Sequence, residues 1–166
     1  RPGLGEVDAV DAGAGLALCQ AGHSGPEALI AAYRCPRPEI DLGQAIAPLV
    51  HAMMDVSDGL LIDASRMAAA SGLAVTIDLD HVPISAELGA FRPTDCATTI
   101  EAASAGDDYV LLFAVAEAHL DEIVDRAYGL GRRVTPVGRF AAGSGMALRW
   151  HGAATPLPHR TGYVHG

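Results

Sequence analysis

Apolar positions recur along this chain at two spacings, and the change from one to the other lays out its architecture. From Asp11 the small-residue run Ala12 to Leu18 predicts a tightly packed helix ending near Gly22. Pro26 to Tyr33 predicts a second, with Pro26 in its favoured first-turn position. Cys35-Pro-Arg-Pro38 interrupts the pattern. Ile40, Leu42, Ile46, Leu49, Val50 and Met53 return at helical spacing and give a third helix that delivers the chain to Asp55. Asp55 to Gly59 reads as a turn. Ser57 stands where it can cap a helix whose Leu60, Leu61, Ala64, Met67 and Ala68 fit a 3.6-residue period up to a stop at Gly72.

Period two follows at once. Leu73, Val75, Ile77 and Leu79 alternate with Ala74, Thr76 and Asp78, a half-buried strand that ends at His81-Val-Pro83. Thr94 to Ala103 reads as a helix, Ser104 to Asp108 as a turn, and Tyr109 to Val115 as the continuous apolar run of a central strand. Ala116 to Tyr128 is a further helix with Leu120, Ile123, Val124 and Ala127 on one face. Val134 to Phe140 and Met146 to Trp150 are short strands, joined as a hairpin through Ala141 to Gly145. Arg1 to Glu6 is turn-rich, and Pro156 to Gly166 is irregular. Strands interleaved with helices on both faces predict an α+β fold, a three-layer α/β/α sandwich on a mixed sheet. At 166 residues the chain is expected to form one domain, residues 1–166. It starts without a methionine, which suggests that an amino-terminal half precedes it in a longer polypeptide.

Composition narrows the function. A net charge of −9, from 20 acidic against 11 basic residues with no basic stripe, argues against nucleic acid as a partner. An acidic protein that handles phosphate esters takes its cations from elsewhere, and magnesium is the usual one. Cys19, Cys35 and Cys96 lack the C-x-x-C spacing of zinc or redox sites. They read as buried small hydrophobes in a reducing, cytoplasmic compartment. No segment has the ~18 consecutive apolar residues of a membrane span, and residues 1–20 lack a leader pattern.

Two clusters carry candidate chemistry. In Asp55-Val-Ser-Asp-Gly59 the two carboxylates stand three residues apart at a helix start, so they can converge on one hard cation in front of helix amides. Ser57 and those amides can then bond a phosphate oxygen. The plainer alternative has Ser57 as a cap and Asp58 as a complement to the helix dipole, worth roughly 1 kcal/mol. In Gly106-Asp-Asp-Tyr109 two acids precede a strand and diverge, so that one can face a ligand while the other is structural; a solvated turn is the alternative. The seven histidines show no metal-ligand spacing and read as surface or packing residues. Neither G-x-x-x-x-G-K-[ST] nor G-x-G-x-x-G occurs.

Taken in order, Cys35-Pro-Arg-Pro38, Met54-Asp-Val-Ser-Asp-Gly-Leu60, Ala70-Ser-Gly72, Ile77-Asp-Leu79, Val82-Pro-Ile-Ser85, Ala105-Gly-Asp-Asp-Tyr109, Pro136-Val-Gly138 and Gly162-Tyr163 resemble the thiamine-monophosphate kinase family. The resemblance runs from about residue 12 onward and concerns the carboxy-terminal half. That family sits in the aminoimidazole-ribonucleotide-synthetase-like superfamily, which implies an α/β/α carboxy-terminal domain and an amino-terminal half with most of the ATP site. It also implies transfer of the γ-phosphoryl group of ATP to thiamine monophosphate, giving thiamine diphosphate, in an intact homodimer. The positions matching Asp55 and Asp58 then bind Mg2+, Ser57 touches ATP, and Asp107 contacts thiamine phosphate. Arg160 stands where the family often has an aromatic residue that stacks on thiamine; its guanidinium can lie flat on a ring but opposes a cationic thiazolium. Asp107 replaces a glutamate common in relatives. Two alternatives remain at this point: another ATP-dependent enzyme of the same superfamily, or a binding module without catalysis.

Overall fold

In chain order the elements are β1 (Pro2–Val7), α1 (Ala12–Gln20), α2 (Glu27–Arg34), α3 (Ile40–Ile46), β2 (Val50–Val56), α4 (Leu60–Ala70) and β3 (Leu73–Asp78). They continue as α5 (Ala86–Phe91), α6 (Cys96–Ala103), β4 (Val110–Ala116), α7 (Leu120–Gly129), β5 (Val134–Ala142), β6 (Met146–Trp150) and β7 (Ala153–Thr155). This computed structural model describes residues 2–7 and 9–163. The strands form one sheet in the order β2-β4-β1-β5-β3-β6-β7, antiparallel except for the β3–β6 pair. The sheet is therefore mixed.

Strand β4 shows why helices cover both faces. Its alternate residues Val110, Leu112 and Ala114 join a core with Leu18 of α1, Leu29 of α2, Leu60 and Leu61 of α4 and Leu88 of α5. The intervening Phe113 and Val115 join a second core with Leu42 and Ile46 of α3 and Ile123 and Ala127 of α7. The two-residue strand period thus feeds two separate layers, and the α/β/α sandwich follows from it.

Four expectations need correction. The helix expected over Ile40 to Met53 is α3 plus a single 3-10 turn at Ala47–Leu49, and the chain then becomes strand β2. Pro48 sits in that turn, where its missing amide ends the α-helical ladder. The turn-rich opening is strand β1, flanked by β4 and β5. Its glycines hide the strand from propensity, yet a Cβ at Gly5 would lie 2.7 Å from the Phe113 ring, so the close approach of the backbone requires glycine. The expected β5–β6 hairpin does not pair: β3 lies between the two strands, bonded antiparallel to β5 and parallel to β6. Residues 143–145 step over the start of β3, and the Val75 amide donates to the Gly145 carbonyl at 3.0 Å. The tight hairpin is instead β6–β7, which turns at His151-Gly152. Finally, Cys35 is exposed at the end of α2, while Cys19 and Cys96 are half-buried against the core.

Candidate functional site

Strand β2 carries Asp55 to the end of the sheet, and the chain leaves it through Ser57-Asp58-Gly59 into α4. Asp55 is therefore a strand residue rather than part of the turn. Gly59 caps α4 with φ at +123°, and no side chain bonds at this cap, so the capping role considered for Ser57 is not taken. A Cβ at Gly59 would sit 2.9 Å from the Ala105 carbonyl oxygen. Glycine is needed there for both conformation and room.

That contact is one of several by which three segments converge. The Asp107 amide donates to the Ser57 carbonyl at 2.9 Å, and the Tyr109 amide to that of Val56 at 2.8 Å. The Tyr163 amide donates to the Asp58 carbonyl at 2.8 Å, and the Ile62 amide to that of Thr161 at 3.1 Å. Backbone bonds thus tie 55–63, 104–109 and 160–163 together without using the acidic side chains.

Asp63, which the sequence reading passed over, organises the turn. Only 1% of its side chain is exposed, in the first turns of α4. Its Oδ2 accepts from the amides of Ser57 at 3.1 Å and Asp58 at 3.0 Å. Its Oδ1 takes the Arg66 Nη1 at 2.8 Å, and the same Nη1 also pairs with Asp58 Oδ2. A buried carboxylate is tolerable only with such a full set of donors. The Ser57 and Asp58 amides, just before the Gly59 cap, are thus taken by Asp63, and that of Ile62 by Thr161.

Asp55, Ser57, Asp58, Asp107 and Arg160 all line one cleft of about 740 Å³, together with Tyr109 and other residues of the converging segments. Asp58 is ion-paired with Arg66 there, and its carboxylate is 14% exposed. Asp107 has a φ of +70°, a conformation that aspartate tolerates; Tyr109, at +54°, is a bulky residue in the same region and marks local strain beside the cleft. Among the described residues no group of three or more His, Cys, Asp or Glu side chains could hold a metal. His23, His51, His81, His119, His151 and His159 are exposed, and His165 lies outside the described residues. Among the described residues no helix is long and apolar enough to cross a membrane.

The family model for the AIR synthase related protein, C-terminal domain, matches residues 14–151. The chain belongs to this family. Among its relatives is the thiamine-monophosphate kinase of Caulobacter vibrioides, 35% identical over 142 residues, which cover 84% of this chain and 40% of that protein. The crystal structure of thiamine-monophosphate kinase from Stenotrophomonas maltophilia K279a superposes with a TM-score of 0.82 at 32% identity, covering 93% of this chain and 51% of that one. A structure of AaThiL complexed with AMPPCP and TMP gives a TM-score of 0.76 at 26% identity, over 98% of this chain and 51% of that chain. This member of the AIR synthase related family spans about half the length of the relatives it matches.

Behind the cleft of this AIR synthase related domain lies a second acidic pair. Asp108 turns away from Asp107 to the start of α1, where its Oδ1 accepts from the Ala12 amide at 2.8 Å. Its Oδ2 and the Asp11 Oδ1 are buried without hydrogen-bond partners. Burial raises the Asp108 carboxyl to about 7, with Asp11 and Asp107 adding repulsion; burial also raises Asp11. The folded chain therefore holds a proton that the unfolded chain releases near 3.8. The sign follows: between about pH 4 and pH 7 this group makes stability fall as pH rises, because the native state binds more protons. Denaturant midpoints measured across that window should show the decline, and Asp108→Asn should flatten it.

Proposed function

We propose that this chain is the carboxy-terminal half of an ATP- and magnesium-dependent kinase that phosphorylates thiamine monophosphate to thiamine diphosphate. The observation that carries the reading is the gathering of Asp55, Ser57, Asp58, Asp107 and Arg160 on one cleft, in a chain whose relatives are thiamine-monophosphate kinases. The complex of a structural neighbour with AMPPCP and TMP supports it further. In the reaction an oxygen of the thiamine phosphate bonds to the γ-phosphorus of ATP, the bond between that phosphorus and the β,γ-bridging oxygen breaks, and ADP leaves. No enzyme nucleophile is needed. Such transfers depend chiefly on positioning and on neutralising the phosphate oxygens.

The donor set fits magnesium. This ion is held by one or two carboxylates, with waters and substrate oxygens completing its octahedron, so Asp55 and Asp58 suffice without a third acid. Bound there, it would supply the charge neutralisation that an acidic domain lacks. Ser57 would bond ATP, and Asp107 would orient the thiamine phosphate end. Arg160 would meet the substrate from the opposite segment, where its charge suits the phosphate better than the thiazolium. An amino-terminal half would bring most of the ATP site, and the intact protein would act as a cytoplasmic homodimer. The fragment alone would be inactive.

Thermal shift tests the substrate assignment. Thiamine monophosphate and diphosphate should each raise the melting temperature of the intact protein more with magnesium than without, because ligands that bind only the native state stabilise it by mass action. Absence of any shift at saturating concentrations contradicts the reading.

A further inference from the structure

We propose that Arg66 is a built-in competitor for the candidate metal site, occupying the Asp58 carboxylate that a divalent cation must take over. The inference rests on the reading of Asp55 and Asp58 as cation ligands and adds a residue that sets how tightly the cation is held. One nitrogen, Arg66 Nη1, touches both Asp58 Oδ2 and Asp63 Oδ1. The two contacts differ in character. Asp63 is 1% exposed and fixed by the Ser57 and Asp58 amides, whereas Asp58 is 14% exposed and lines the cleft. Arg66 itself is 46% exposed, on the solvent side of α4.

When Asp58 turns to a cation, the guanidinium loses one of its two acidic partners and keeps the buried one. Asp63 thus holds Arg66 within reach of the site, and the exchange leaves no buried carboxylate unpaired. A hard divalent ion and a guanidinium both seek carboxylate oxygen and repel each other's charge, so they compete at Asp58. The measured cation affinity is then the intrinsic affinity reduced by the strength of the Arg66–Asp58 pair. Arg66 is a positioning residue; it is not expected to touch substrate.

The experiment is a titration of the intact protein with Mn2+ as a paramagnetic stand-in for magnesium, free ion being counted by electron paramagnetic resonance without nucleotide. Arg66→Gln should bind Mn2+ more tightly by on the order of tenfold, the usual size of coupling between two ligands. Arg66→Lys, which keeps the charge on a shorter side chain, should tighten it less. Asp58→Asn should weaken it. A structural role for Arg66 would give the opposite sign, since loosening the turn would scatter the ligands. Unchanged or weaker binding in Arg66→Gln, with Asp58→Asn still weakened, overturns the competition and leaves the metal assignment standing. Unchanged binding in Asp58→Asn removes the assignment and this inference with it. Should Arg66→Gln fail to fold, Arg66→Lys decides: tighter binding supports the proposal and unchanged binding overturns it.

Discussion

Asp55→Asn and Asp58→Asn are each expected to lower turnover of the intact protein in the proposed kinase reaction by about a hundredfold or more, the scale seen when one preorganised charge-stabilising group is removed. The two aspartates line the cleft, and neither belongs to the hydrophobic cores. Their removal should therefore leave the melting temperature within a few degrees of wild type. The lost activity should return partly at high magnesium, because an amide oxygen remains a weaker ligand in place of each carboxylate. Equal rates in wild type and both variants, measured over a range of magnesium concentrations, would contradict the assignment.

The second large effect concerns stability. Asp63→Ala should destabilise the domain by about 3 kcal/mol, because the Ser57 and Asp58 amides and one contact of Arg66 lose their shared acceptor. For a chain of this length that corresponds to a fall of roughly 6–12 °C in melting temperature. Part of the cost is relieved because Arg66 is half exposed and keeps Asp58. Activity should fall as well, since the turn that presents Asp58 is no longer fixed. A variant that melts like wild type would mean that water replaces the carboxylate without loss.

These expectations show which features a sequence can carry. The Asp-Val-Ser-Asp-Gly and Gly-Asp-Asp-Tyr segments were legible because each combines acids with glycine beside a predicted element, and the structure brings both to one cleft. The divergence of Asp107 and Asp108 was legible too: one lines the cleft and the other meets α1. Strand β2 was not, because Ile46, Leu49, Val50 and Met53 satisfy a helical period while Val50, Ala52, Met54 and Val56 satisfy a strand period. Pairing with β4 decided between them. Strand β1 was hidden for a different reason. Its glycines carry little β propensity, and the reason for the one at Gly5, the Phe113 ring packed against it, is visible only in the fold. The place of β6 was out of reach as well, since a glycine-rich link reads alike whether it joins neighbours or steps over a strand. Asp63 had a signal that went unused. It lies three residues after Leu60 and four before Met67, on the apolar face of α4, and an acid there must find partners inside.

The most direct test supplies the intact protein with γ-labelled ATP, magnesium and thiamine monophosphate and follows the label. The proposal requires label in thiamine diphosphate, formed in step with ADP and dependent on magnesium. ATP cleavage without labelled thiamine diphosphate, or no cleavage by protein shown to be folded, would contradict it.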